Sequence, residues 1–383
     1  MVDAGFVIDT ARALVRIPSI NPGLAEGAPG ESGVADFTQE LLTRLGLEVT
    51  RLEGTPGRPS VVGILRGGGG PSLMLNAHYD TVGVADMDDP FSANIRDGRL
   101  YGRGAYDMKA SLAGCIGALK ALRDADAKLA GDLIIAAVAD EEHASLGTQE
   151  ITRRYPVDGA IVTEPTSLRV CLAHKGFVWL EVRTEGRAAH GSRPDLGIDA
   201  NVRMGRLLVR LEALERTLRE RRSHPLVGPA SVHAATLAGG TGLSTYAAQC
   251  VLGIERRTIP GESEAVVVAE LKAILDQIGA EDPSFRAHLR TLLARPPFEA
   301  DRDGDLVRSL ADAAVGALGY EPALVGETPW MDAALLAAAG ADTVVFGPHG
   351  AGAHAADEWV DLDSVLVFAD VLVRTTIDYC GRP

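Results

Sequence analysis

The chain has 383 residues, 46% of them hydrophobic and 23% charged, with a formal net charge of -15 at pH 7. That length and apolar content are enough to bury a substantial core and favour two domains over one, which excludes a largely disordered chain. The acidic balance, with no dense Lys/Arg block, excludes a nucleic-acid partner and an anionic membrane surface from the expected roles.

Residues 1–30 show no charged start followed by an apolar run and a small-residue cleavage site, and no apolar run reaches spanning length. A cytoplasmic protein is therefore expected. The segment ESGVADFTQELLTRLG carries apolar residues on a helical period and ends in glycine, predicting an amphipathic helix. LEVTRLE and SVVGILR have the short β-branched character of strands. PSLMLNAHYDTV predicts an apolar strand whose end delivers His78 and Asp80, and GRGAYDMKASLAGCIGALKAL passes from a glycine-rich turn into a helix behind Asp107. GDLIIAAVADEE then places Glu141 and Glu142 just past a strand, and DGAIVTEP places Glu164 at the end of another.

Around His174 the rhythm changes. FVWLEVRTEG alternates like a strand, NVRMGRLLVRLEALERTLRERR is a long helix, SVHAATLAGGTG and AAQCVLGIERRTIPGES are strands, and EAVVVAELKAILDQIG is a helix. This series predicts a separate antiparallel sheet with a helical layer, inserted at 176–290 between catalytic segments 1–175 and 291–383. In the last segment DLVRSLADAAVGALG is a helix, DTVVFGP a strand and LDSVLVFADVLVRTTIDYC a closing helix. Strands alternating with helices make the fold class α/β, with a parallel or mixed sheet covered by helices. Cys115, Cys171, Cys250 and Cys380 have no paired spacing, so neither a disulfide framework nor a cysteine metal site is expected.

Imidazole and carboxylate donors at successive strand ends suit a pair of divalent cations, zinc foremost, with cobalt or manganese as alternatives. Asp80, two residues from His78, is placed to orient that ring through its other nitrogen. A carboxylate must touch both ions if they lie about 3.5–4 Å apart, and Asp107 is the best bridging candidate. Glu141 and Glu142 are adjacent, so their side chains point apart and one binds metal while the other handles the water proton. Glu142 is assigned to metal and Glu141 to the base, although spacing alone allows the reverse. One ion is then expected on His78, Asp107 and Glu164, and the other on Asp107, Glu142 and His354.

The motifs HYDTV at 78–82, GRGAYDMKA at 102–110, DEE at 140–142, TEP at 163–165 and GAHAADEWV at 352–360 give the chain a close resemblance, over nearly its whole length, to one family. It resembles the dinuclear zinc deacylases and exopeptidases that include acetylornithine deacetylase, succinyl-diaminopimelate desuccinylase, aminoacylase and glutamate carboxypeptidases. The resemblance implies a mixed-sheet zinc-exopeptidase-like catalytic domain with an inserted α+β lid through which two copies dimerise. It also implies the five metal ligands His78, Asp107, Glu142, Glu164 and His354, a cis peptide bond after Asp107, and His190 as the donor to a tetrahedral oxyanion. Arg257 aligns with a residue that either binds a substrate carboxylate or makes a structural pair. Ser244 stands where the family commonly has asparagine. Trp330 either lines an acyl pocket or packs the core, and Asp332 is a pocket or supporting acid. The expected reaction is hydrolysis of an N-acyl amino acid by metal-activated water, with dipeptide or carboxypeptidase cleavage as the alternative.

Overall fold

A computed structural model describes residues 1–221 and 223–381. The chain divides into two compact units: one of Met1–Leu172, Ala300–Val325 and Met331–Pro383, the other of Ala173–Glu299 and Gly326–Trp330.

The first unit is built on a mixed sheet. In chain order its main elements are helices α1 (Ala4–Arg16) and α2 (Ser32–Arg44), strands β1 (Glu48–Leu52), β2 (Ser60–Leu65) and β3 (Leu73–His78), helix α3 (Ala110–Asp124), strand β4 (Leu133–Val138), helix α4 (Leu146–Arg154), strand β5 (Gly159–Val162) and the first three residues of strand β6 (Val170–His174). Strands β4, β3 and β5 lie side by side and parallel, with His78 opposite Val138 and Asn76 opposite Val162. Every residue of these three strands is buried, which is why they read as continuous apolar runs rather than alternating ones. Strand β2 pairs antiparallel with β4, and β1 with β2, which makes the sheet mixed.

Helix α3 is buried around most of its circumference, from Ala110 to Leu122, and its glycines permit that. A Cβ on Gly117 would lie 2.3 Å from Val7 Cγ2, and one on Gly114 would lie 2.7 Å from Phe368 Cδ1, so α1 and the last helix pack directly against its backbone. Asp3 caps α1 by accepting from Phe6 N at 3.0 Å.

The second unit has strand β7 (Gly176–Glu185), helix α5 (Ala200–Glu220), strands β8 (Ser231–Gly239) and β9 (Gln249–Thr258), helix α6 (Glu264–Glu281) and strand β10 (Ala287–Arg295). Its sheet is antiparallel in the order β8-β9-β7-β10. Alternate residues of β7 and β9, including Val178, Leu180, Val182, Leu252 and Ile254, form one core with Met204, Leu207 and Leu211 of α5 and Val267, Leu271 and Ile278 of α6.

Strand β10 lies outside the expected series, and the insertion does not end at residue 290. Ala287, Leu289, Thr291 and Leu293 alternate with exposed His288, Arg290 and Leu292, but the exposed position at the register shift is leucine, so polar and apolar residues do not alternate and the run does not read as a strand. The pairing of β10 with β7 runs to Arg295, and the unit extends to Glu299.

The chain completes the first unit with helix α7 (Asp305–Leu318), strand β11 (Asp342–Val345) and helix α8 (Leu362–Tyr379). Strand β11 is parallel to β5. Four parallel strands, β4, β3, β5 and β11, therefore end at the same edge of the sheet, the edge where loops of such folds converge on ligands. Among the described residues, no helix is long and apolar enough to cross a membrane, and all four cysteines are buried thiols outside any disulfide.

Candidate metal centre

The four parallel strands deliver the site. His78 is the last residue of β3, Glu141 and Glu142 follow β4 by a turn in which Asp140 has φ +71°, Glu164 follows β5, and the loop after β11 carries His354. Asp107 sits in the turn leading into α3, and the peptide bond that follows it is cis.

The Asp107 carboxylate lies between two imidazoles. Its Oδ1 is 3.0 Å from His78 Nε2, and its Oδ2 is 3.4 Å from His354 Nε2. His78 Nε2 is also 3.5 Å from Glu164 Oε1, and His354 Nε2 is 3.0 Å from Glu142 Oε2. Donor atoms of His78, Asp107 and Glu142 lie within 4.8 Å of one another, as do those of His78, Glu141 and Glu164. Glu141 thus stands within ligand range of the His78 side, and geometry leaves its role to chemistry.

Burial and mutual repulsion set the protonation of this cluster. Glu141 and Glu164 are pushed well above the usual carboxylate range, first by burial and then by neighbouring carboxylates, with His78 opposing. Burial also raises Glu142, with Asp107 adding to it. Burial would raise Asp107 too, but hydrogen bonds from His354 and His78 hold it below its ordinary value. Burial alone would lower His78, yet Glu164, Asp107 and Asp80 outweigh it and hold the imidazole well above its usual value. Hydrogen bonds to Asp107 and Glu142 lift His354 to about 10.

Among the described residues, no Lys or Arg side chain is ion-paired with Asp107, Glu141, Glu142 or Glu164. Four carboxylates and two imidazoles, crowded and without a fixed counter-charge, fit a pair of divalent cations: the donor types are those of zinc, and the deficit of positive charge is what such ions supply.

The other nitrogen of the His78 ring faces Asp80. Its Nδ1 lies 3.0 Å from the backbone oxygen of Asp80, with the Asp80 carboxylate at 3.6 Å. That carboxylate is occupied elsewhere, accepting from Glu141 N at 3.1 Å, Glu142 N at 3.2 Å and Asn21 Nδ2 at 2.7 Å. Asp80 thereby orients His78 chiefly through its carbonyl while its side chain fixes the backbone of the two glutamates. Behind it, Asn21 Nδ2 also reaches Asp140 at 3.1 Å, and Arg58 joins Asp140 at 2.6 Å to buried Glu31 at 2.5 Å. Asn21, Glu31 and Arg58 carry no motif signal, since each is distant in sequence and ordinary in its local setting.

Asp332 is buried, accepts from Thr148 Oγ1 at 2.5 Å, and is pushed up to about 6 by burial. The remaining expected residues belong to the second unit. His190 Nδ1 accepts from Ser192 N at 3.2 Å and lies 2.8 Å from Ser192 Oγ. Ser244 supports that loop through its backbone, its carbonyl accepting from Gly191 N at 2.8 Å. Arg257 pairs with Glu255 Oε1 at 3.0 Å and stands 5.4 Å over the Phe177 ring. Trp330, expected with the last catalytic segment, falls within the second unit: its Nε1 donates to Pro296 O at 3.1 Å, and its ring meets His174 and Phe177 edge-on at 6.2 and 6.1 Å.

The arrangement is a dinuclear metal-binding catalytic site of the amidohydrolase and peptidase type. Acetylornithine deacetylase of Myxococcus xanthus is 31% identical to this chain over 383 residues, covering 98% of this chain and 95% of that one. N-formyl-4-amino-5-aminomethyl-2-methylpyrimidine deformylase of Halalkalibacterium halodurans is 27% identical, covering 96% and 93%. The solved structure of aminopeptidase PepT from Bacillus cereus superposes with a TM-score of 0.82 at 18% identity, covering 99% of this chain and all of that one, a likeness of fold. Residues 74–378 match Peptidase family M20/M25/M40, and with the Myxococcus relative this makes the chain a member of that family.

Proposed function

We propose that this protein hydrolyses the amide bond of a small N-acyl amino acid, releasing a carboxylate and the free amino acid. The observation that carries the reading is the Asp107 carboxylate with one oxygen toward each imidazole, with Glu141 in ligand range of His78 and Glu164. His78, Asp107 and Glu164 would hold one zinc ion, and Asp107, Glu142 and His354 the other. Bound there, the two ions supply Lewis-acid polarisation of the amide carbonyl and lower the pKa of water.

Glu141 takes the proton of the attacking water on a carboxylate oxygen and returns it to the departing nitrogen. Asp80 holds the Glu141 backbone, and thus the direction of the carboxylate. His190 is the oxyanion donor. A backbone N–H can only donate, so the bond from Ser192 N makes Nδ1 an acceptor and puts the proton of a neutral ring on Nε2, the tautomer this role requires.

Deacylation is preferred to peptide cleavage because the relatives at 31% and 27% identity are named for removing acetyl and formyl groups, whereas the likeness to PepT is structural. A homodimer formed through the second unit is supported by exposed Val202 and Val209 on α5 and Leu237 on β8, an edge strand. A cytoplasmic setting accords with four buried cysteines that form no disulfide. The test is a screen of zinc-loaded protein against N-acetyl, N-succinyl and N-aromatic acyl amino acids beside dipeptides. Turnover of acyl amino acids well above dipeptides is expected; the reverse order would overturn the deacylase reading.

A further inference from the structure

Glu358 lies in the same motif as His354, four residues on, and reads in the sequence as one more acid in ADEWV. In the structure it is 1% exposed and its carboxylate is saturated. Oε2 accepts from Arg103 Nη1 at 2.6 Å and Gly104 N at 3.1 Å, while Oε1 accepts from Tyr106 N at 2.9 Å and Asp107 N at 3.1 Å. Its backbone oxygen takes Gly102 N at 3.2 Å. An ionised carboxylate has about four acceptor sites, and all four are used on the turn that presents Asp107.

The turn needs such a partner. Gly104 has φ +78°, and the single helical turn Ala105–Lys109 that follows it, ahead of α3, has no side-chain cap of its own for its first N–H groups. Glu358 caps them from a remote part of the chain.

Arg103 carries the same connection outward. Its Nε donates to Gly83 O at 3.0 Å, three residues beyond Asp80, and its Nη2 donates to Ala355 O at 3.0 Å, next to His354. One buried ion pair thus touches the loop after His78, the turn of Asp107 and the loop of His354. A pair that served packing alone would satisfy itself; here each remaining donor and acceptor ends on a segment bearing a proposed ligand.

We propose that Arg103 and Glu358 are positioning residues that hold the Asp107 carboxylate between the two imidazoles and tie the His354 loop to it. The proposal rests on the reading of Asp107 as the ligand shared by two ions. Neither residue touches substrate; they act through Asp107 and His354, and outer partners of this kind tune metal affinity and activity by about 10–100-fold.

The test compares full-length wild type with Glu358→Gln and Arg103→Lys, each stripped and reloaded with Zn²⁺. Gln keeps the shape but turns an amide NH₂ toward backbone donors, and Lys keeps the charge but cannot reach Gly83, Ala355 and Glu358 at once. Zinc affinity is read by competition with a chromophoric chelator, site geometry by the visible spectrum of the Co²⁺ form, and fold by the Tm of the metal-free protein. The expected result is the ion on the His354 side weakened about 10–100-fold and the ion on the sheet-fixed His78 side weakened less, with an altered Co²⁺ spectrum. kcat should fall in step at nearly unchanged KM and recover in excess zinc, and the metal-free Tm should stay close to wild type.

Two wild-type affinities in both variants would overturn the role. So would weakening of both ions in step with a collapse of the metal-free Tm, or failure of both variants to fold, since each assigns the pair to the fold alone. Wild-type protein that takes up fewer than two ions removes the shared-ligand reading itself, before either variant is compared.

Discussion

The two imidazoles of the centre have the same chemistry and opposite settings. His78 ends a strand hydrogen-bonded on both sides, is 1% exposed, and has its ring fixed through Nδ1 by a backbone carbonyl. His354 stands in a loop at φ +62° with 54% of its side chain exposed. One side of the site is preorganised by the sheet; the other depends on a loop tied down by Arg103. The lesson is that a carboxylate facing both can bring together a rigid ligand set and an adjustable one, which predicts two ions of unequal affinity, the tighter on the His78 side.

The largest expected effect separates base from ligand on the rigid side. Glu141→Gln should lower kcat by about 10²–10⁴-fold while both ions are retained, measured by steady-state kinetics with metal analysis. Loss of an ion instead would make Glu141 a ligand of the His78 side and Glu142 the base.

Next comes the inequality itself. His354→Ala should weaken one ion by more than the ~100-fold typical of an outer partner and leave the other in place, whereas His78→Ala should disturb both, because Asp107 and Glu164 then lose the group that balances them. Equal losses in the two variants, measured by zinc titration, would abolish the contrast.

Proton linkage gives a smaller, graded effect. His354 carries a proton in the metal-free protein up to about pH 10, and zinc must displace it. Affinity on that side should rise about tenfold per pH unit between pH 7 and 9, with proton release visible as a buffer-dependent binding heat. In the metal-free fold the sign is opposite: a His pKa raised from 6.5 to about 10 contributes stability that is complete below 6.5 and lost as pH climbs through 10. A flat zinc affinity across that range would mean that His354 is not a ligand.

The smallest effect on the centre should come from Val209→Glu on α5. Val209 is 64% exposed, so the monomer should keep its stability within about 0.5 kcal/mol and its zinc content unchanged, while light scattering reports loss of the dimer.

Much of the rigid side was legible in the sequence, because a fully buried parallel strand is a short apolar run and the acid or imidazole that ends it is conspicuous: LMLNAH before Tyr79, LIIAAV before the acidic turn, GAIV before Glu164. The supports were not legible. Asn21, Glu31, Arg58, Arg103 and Glu358 act across long sequence separations, and an isolated Arg or Glu looks like a solvated surface residue until the fold buries it. Spacing brought Asp80 to His78 but could not show that its carbonyl would take the ring and its carboxylate the neighbouring backbone. Strand β10 was hidden because one of its exposed positions, Leu292 at the register shift, is apolar.

The most direct measurement is a crystal structure of the zinc-loaded protein with the ions located by anomalous scattering at the zinc edge. A shared carboxylate predicts two ions about 3.5–4 Å apart, one Asp107 oxygen on each, with His78 on the first and His354 on the second. A single ion, or two ions with Asp107 bound to only one of them, would contradict it.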